Sequence, residues 1–486
     1  MSKIQIAYLF PILVASSSLG LGQIPHFGNA MRNGWATQDS IVIWTRTTAQ
    51  AEMTRGPDFV SVSKGLASQL LSSGEVDRLL TSQMPTGTEL EQMLGSLPGL
   101  PAEVRLIYSP VDNPEKQKST AWKKTSADQD CTAQWKLTEL LPGTKYSVTA
   151  EARVPGNEQI SQCEGKFQTA PAADETADLK FCVTTCHDFL RRDDGEKGHK
   201  IYPSMSSFEP DFVVHAGDIE YYDKEKPYAW TKELMRFKWA RLFSMPRNRD
   251  FYAKHSSYFI KDDHDTLKND SWPGQSYGIV TFQEGVRLFN DEQFPTRDPR
   301  YDSIRWGKDL EIWVLEGRDF RSANTMKDGP DKTILGAEQK QWLKDSLRQS
   351  DATFKLVFSP TPIVGPDRAN KKDNHANKIF AYEGEELREF FSTVDGLILF
   401  CGDRHWQYAS VDAEYGIWEF GCGPGSEKHQ LGWKKGDVRP VHRFLRVAGG
   451  YLSGELNYLD SKPILKLKHR DVYGVEKSSF TFPTIK

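Results

Sequence analysis

Four apolar runs in the second part of the chain each stop at a cluster of chemistry-bearing side chains, and this restricts the fold more than any other feature. LKFCVTT runs into Cys186-His187-Asp188, DFVVHAG into Asp218, SSYFIK into Asp262-Asp263-His264-Asp265, and GLILFC into Gly402-Asp403-Arg404-His405. Runs this short and this uniformly apolar read as buried strands. Open α/β sheets keep their chemistry in the loops beyond the C-terminal ends of such strands, so four ends of one sheet can converge on one point. LEIWVLEG and FKLVFSP supply further core strands, and KELMRFKWARLFSM, GAEQKQWLKDSLRQ and YEGEELREFFSTV carry helical spacing. The alternation predicts an α/β domain over 181–486, closed by a β-rich stretch from residue 416 on.

Earlier in the chain the pattern changes. SIVIWTRT, EVRLIYS, CTAQWKL, KYSVTAEAR and CEGKFQT are short strand-like runs separated by turn residues, which predicts an all-β, immunoglobulin-like N-terminal domain over 23–170. Residues 56–100 interrupt it with helical spacing, and PAADETADLK at 171–180 reads as a linker. Residues 1–22 place Lys3 before an apolar stretch and small residues, the order of a secretory signal peptide, with a stretch too short to span a bilayer. Export is therefore expected, to a secreted or periplasmic location. In an oxidising compartment Cys131 and Cys163 could pair, whereas Cys182, Cys401 and Cys422 sit in apolar or glycine-rich runs that suit buried thiols. At 486 residues, 38% of them hydrophobic, the chain can build more than one core. Its net charge of −4 comes with no polybasic cluster, which argues against nucleic acid or anionic membrane as a partner.

DFVVHAGDIEYYD is the centre of the chemistry. The carboxylate of Asp218 can bridge two metal ions, and Tyr221 can offer a phenolate, a hard anionic donor suited to a ferric ion. The bland reading, a surface aspartate after a core strand, loses ground because each neighbouring strand end also carries ligand-type residues. Two ions of one centre lie only about 3.5–4 Å apart, so ligands from separate loops must converge.

With these residues in place, the chain resembles the alkaline phosphatase D family, within the binuclear metallophosphoesterases related to purple acid phosphatases. GDIEYYD is similar to the superfamily's GDxxYxD element, KDDHD to the DDHE form of its GNHE element, and GDRH to the form that replaces GHxH. Thr185-Cys186 matches the element ending the first strand, LEGRDFR resembles LDxRxxR, and IWEFGCGP a late strand. The resemblance implies an α/β metallophosphoesterase-type sandwich, central β-sheets flanked by helices, preceded by the all-β domain. It implies Fe3+ held by Cys186, Asp218, Tyr221 and His405, and Ca2+ or another hard divalent ion held by Asp218, Asp263 and Asp403. His264 would then donate a proton, and Arg318 and Arg321 would meet phosphate oxygens. The implied reaction is hydrolysis of small-molecule phosphate esters by a metal-activated water or hydroxide, serving phosphate acquisition.

Alternatives stay open at several residues. Arg318 and Arg321 could instead pair with Glu316 and Asp319 at the surface. Cys186 could be a core thiol, Tyr222 competes with Tyr221, and His187 stands where the family usually has glutamine. Asn269 and Asp270 lie near a family asparagine pair with altered spacing. Asp223 and Asp265 read as residues orienting ligands, His215 as a hydrogen-bonded core histidine, and His199, His255, His375 and His429 have no motif support. At the level of function, a phosphodiesterase or phospholipase-like hydrolase on the same metals and an inactive secreted binding protein are the competing readings.

Overall fold

The computed structural model describes residues 23–483, so the expected signal peptide lies outside the described residues. No helix among them is long and apolar enough to cross a membrane. Two large sheets face one another. The first has nine strands, and at its centre Leu179–Thr184, Phe212–Ala216, Ser256–Ile260 and Met31–Gly34 run parallel. The second has seven, with Leu310–Val314, Phe354–Ser359, Leu397–Cys401 and Trp418–Cys422 parallel at its centre.

Alternation along the strands explains the layering, because successive side chains point to opposite faces. Phe181, Val183, Phe212 and Val214 of the first sheet meet Ile312, Phe358, Ile398 and Phe400 of the second in one core, with the Phe181 and Phe400 rings 6.1 Å apart. Residues of opposite parity face the helices. Cys182, Val213 and Phe259 pack under helix Lys232–Ser244, while Trp313, Val357 and Leu399 pack under Ala337–Gln349 and Ala381–Phe391.

Two expectations change. The four functional strand ends do not belong to one sheet: Leu397–Cys401 lies in the second, the other three in the first. A uniformly apolar run announces burial but carries no record of which sheet it joins. The N-terminal β region is also divided. Glu103–Pro110, Lys145–Arg153 and Ser161–Gln168 form a separate sheet with two short strands, whereas Met31–Gly34, Ile41–Arg46 and Thr132–Leu137 complete the nine-stranded one. Every residue of Ile41–Arg46 is buried, while Ser161–Gln168 buries only its alternate inner positions toward one end. A strand buried on both faces belongs inside a large sheet, not on a one-sided sandwich. Cys131 and Cys163 are unpaired, as are the other four cysteines. The stretch from 416 on closes both sheets: Trp418–Cys422 enters the second, and Tyr451–Leu459, Lys462–Arg470 and Glu476–Pro483 extend the first.

Candidate metal centre

Each ligand-bearing turn begins where a core strand stops. Cys186, Asp218 and Asp403 all have left-handed backbones, with φ of 54°, 54° and 57°. A non-glycine residue in this region costs on the order of 1–3 kcal/mol and persists only where its surroundings impose it. Here the turns hold one another: Cys186 N donates to Gly217 O at 3.1 Å and His187 N to Asp218 O at 2.8 Å. Close approach also fixes two glycines. A Cβ on Gly217 would lie 2.8 Å from Cβ of Asp262, and one on Gly402 would lie 1.8 Å from the carbonyl oxygen of Ala216. The second contact joins the strand ends of the two sheets, which is how Asp403 and His405 come to meet residues from the first.

Asp218 is the common member of the centre. Its Oδ2 accepts from the Tyr221 hydroxyl at 3.0 Å and the Cys186 thiol at 3.5 Å, and the Tyr221 hydroxyl lies 3.1 Å from His405 Nε2. Donor atoms of Cys186, Asp218 and His405 fall within 4.8 Å of one another, as do those of Asp218, Asp263 and His264, and those of Asp218, Asp262 and Asp403. The six residues expected to hold metal therefore gather around one carboxylate. One detail differs: Asp403 groups with Asp262, and Asp263 with His264.

The donor chemistry fits cations. Asp218 Oδ1 and Asp262 Oδ2 are buried with no hydrogen-bond partner, an arrangement that is expensive unless a cation completes it, whereas Asp403 Oδ2 pairs with the Arg404 guanidinium. Burial, then the Asp263 and Asp262 carboxylates, drives Asp218 well above the usual carboxylate range. Burial and the Asp218 charge do the same to the Cys186 thiol and the Tyr221 phenol. Asp262 is pushed up to about 7, again chiefly by burial. Bound cations invert this order and deprotonate the same donors.

His264 is built to hold a proton. Its Nδ1 lies 2.6 Å from Asp223 Oδ1, and Asp223 Oδ2 accepts from Asn269 N at 3.0 Å. Burial pulls the imidazole down, but Asp223 and Asp263 outweigh it and raise His264 above its ordinary value. Its ring stacks at a tilt on Tyr221, centroids 4.4 Å apart. Asp265 takes the orienting position expected of it, accepting from the backbone N–H of Glu220 and Asp262 at 2.8 and 3.0 Å.

Neither arginine forms the surface pair that was the alternative to phosphate contact. Lys261 takes both Glu316 and Asp319 instead. Arg318 is fully buried, donates through Nε to Asp262 Oδ1 at 2.5 Å, and has Nη2 3.8 Å from Asp263 Oδ1 and 3.6 Å from Asp373 Oδ2. The role visible for it is to hold the acidic turn. Arg321 donates to Asp373 O and Asn324 Oδ1 at 2.8 and 3.1 Å, leaving Nε and Nη1 unpartnered.

Sequence reading missed two groups. His429 sits with its ring 4.2 Å from His405 and 5.2 Å from Tyr221, its Nδ1 3.1 Å from Cys186 O. It arrives from a loop between strands, where spacing gives no warning. Asp373 joins Asp263 and Asp270 in a further acidic cluster, but Lys371 and Arg318 neutralise it. Behind Cys186, buried His187 reaches His215 Nε2 at 2.5 Å and the Tyr202 hydroxyl at 3.0 Å. This settles His187 as an interior residue and His215 as the hydrogen-bonded core histidine expected.

Facing sheets whose strand ends bring carboxyl, thiol, phenol and imidazole groups together have the architecture of the metallophosphoesterase class. A family model described as PhoD-like phosphatase matches residues 181–438. The chain belongs to the PhoD-like phosphatase family. It is 21% identical over 300 residues to alkaline phosphatase D of Bacillus subtilis (strain 168), covering 51% of this chain and 49% of that protein, so it spans about half that relative's length. The solved structure of PhoD superposes with a TM-score of 0.68 at 17% identity, covering 94% of this chain and 90% of that one. A purple acid phosphatase from yellow lupin seeds gives 0.60 at 13% identity, covering 93% and 73%. At these identities the structural likenesses establish the fold.

Proposed function

We propose that this chain hydrolyses small-molecule phosphate esters at a centre of two cations shared through Asp218. The observation that carries this reading is the convergence of donors from four turns on one carboxylate, with buried oxygens left unsatisfied, in a chain of the PhoD-like family. Cys186, Asp218, Tyr221 and His405 would hold one ion, and their thiolate and phenolate character favours Fe3+. Asp218, Asp263 and Asp403, joined by Asp262, would hold the other, an all-oxygen set that favours Ca2+ or a similar hard ion. When bound, the ions supply charge neutralisation for the phosphoryl oxygens and acidify water for in-line attack.

The side chains do the rest. Asp223 fixes the ring of His264 through Nδ1 and raises its proton affinity, which leaves Nε2 to protonate the departing ester oxygen. Arg318 anchors Asp262 and lies beside Asp263, setting the acidic turn before substrate arrives. Arg321, with two unpartnered donors, remains the better candidate for phosphate contact. Export, directed by residues 1–22, would place the activity outside the cytoplasm, where it would serve phosphate acquisition.

The test is elemental analysis of the natively purified protein, paired with rates on 4-nitrophenyl and bis(4-nitrophenyl) phosphate before and after chelation. Two ions per chain and turnover that chelation abolishes are expected. The ratio of the two rates assigns monoester or diester preference. Stoichiometric metal with no turnover of either ester would leave a binding protein in place of an enzyme.

A further inference from the structure

The 56–100 insertion lies outside the matched residues 181–438, yet it is docked on the segment that carries Tyr221 and Asp223. Val60 N donates to Gln83 O at 2.8 Å and closes the insertion on itself. The Gln83 side chain then grips Tyr228 from both sides, accepting from its N–H at 2.7 Å and donating to its carbonyl at 3.4 Å. Lys226 pairs with Asp58 at 3.2 Å, and Val62, Ala67, Leu70 and Leu79 share a core with Tyr222, Tyr228 and Trp230.

Helix Lys64–Ser72, capped by Ser63 at 3.2 Å from Leu66 N, buries Ala67 and Leu70 and turns Lys64 and Ser68 outward. That outward face borders two adjoining cavities of ≈ 470 and ≈ 580 Å³, both of which are also walled by Asp223, Tyr228 and Asn269. Asp223, the hydrogen-bond partner of His264, lines both cavities and joins them to the side of the centre where the proton donor stands. One cavity adds Lys224, and the other adds Leu71 and Tyr277. Lys224 lies over the Tyr221 ring at 5.9 Å and shares its cavity with Asp188 and Glu225, whereas Lys64 makes no ion pair among the described residues, so the apolar wall of Leu71, Tyr228 and Tyr277 is bordered by one uncommitted ammonium, that of Lys64.

We propose that the insertion helix is the leaving-group wall of the centre and selects phosphate esters whose leaving group has an apolar or aromatic body ending in an anionic group. The body lies along Leu71, Tyr228 and Tyr277, and the negative end meets Lys64. This rests on the phosphatase reading, since it takes the His264 side as the side from which the alcohol departs. An ammonium in a partly open cavity is screened, so its contribution is a modest one.

The experiment compares kcat/KM for 2-naphthyl phosphate and for the same ester carrying a sulfonate at the far end of the ring, using the metal-loaded full chain. The wild type is expected to prefer the sulfonated ester by roughly 1.5- to fivefold, the range of a single partly screened charge contact. Lys64→Glu, at an exposed position, is expected to abolish or invert that ratio, and Lys64→Arg to keep it. A wild type without the preference, or a Lys64→Glu variant that retains it, overturns the inference, including the case in which both rates fall equally because the helix merely supports Tyr228. Failure to hydrolyse either ester is a different result and would remove the phosphatase reading itself.

Discussion

Tyr221 links the two donor sets physically, touching Asp218 at 3.0 Å and His405 at 3.1 Å. Tyr221→Phe is expected to abolish any visible ferric charge-transfer band of the native protein, and an unchanged spectrum would take the phenolate out of the coordination sphere. Asp223→Asn tests the proton donor. Losing the carboxylate that raises His264 should lower kcat by about 10²-fold with metal content retained, the scale of one general acid. Most of these residues could be read from the sequence, because ligand types followed strand ends. What could not be read was their division of labour. Asp262 and Asp263 are neighbours of identical type, and only the closeness of their donor atoms in space shows that Asp262 groups with Asp403. His429 was invisible for another reason: its place beside His405 is set by tertiary packing of a loop.

Helix Ala381–Phe391 shows how an element is tied to its neighbours by charge. Burial opposes ionisation of Glu383, but hydrogen bonds from His375 Nε2 at 2.9 Å, from Ile334 N at 2.5 Å and from Thr333 Oγ1 overcome it, bringing the carboxyl from 4.5 to about 2. A group depressed on folding stabilises the protein fully above its unfolded value and loses that contribution as pH falls through the folded one. Glu383 should therefore add about 2–3 kcal/mol above pH ~5, lost as pH drops toward ~2. Denaturant titrations of Glu383→Gln across this range should show a flatter pH dependence than the wild type. This helix and the two others with clear spacing were legible, as were all six core strands, because burial on both faces leaves an uninterrupted apolar signature. The helical character of the insertion was legible too, but not its neighbour, since nothing in 56–100 encodes contact with a turn some 150 residues later.

The molecule as a whole is held by two sheets that share one core; the apolar runs announced buried strands but not which sheet each joins. SIVIWTRT reads from its sequence as a strand of the small sandwich, and its complete burial and its partners place it in the large sheet instead. The tight contact of Gly402 with Ala216 brings the ends of the two layers together, and Gly402→Ala is expected to lower both thermal stability and metal content, measured by calorimetry and elemental analysis. Cys186, Asp218 and Asp263 come from one layer, Asp403 and His405 from the other. Ions seated there fasten the layers like a rivet through two plates, and binding confined to the folded form adds about 2.7 kcal/mol at a hundredfold excess over Kd. Heat resistance should consequently follow ion supply: a chelated sample should melt several degrees earlier and recover on replenishment, so that scarcity of metal silences the protein by loosening it as well as by emptying its chemistry.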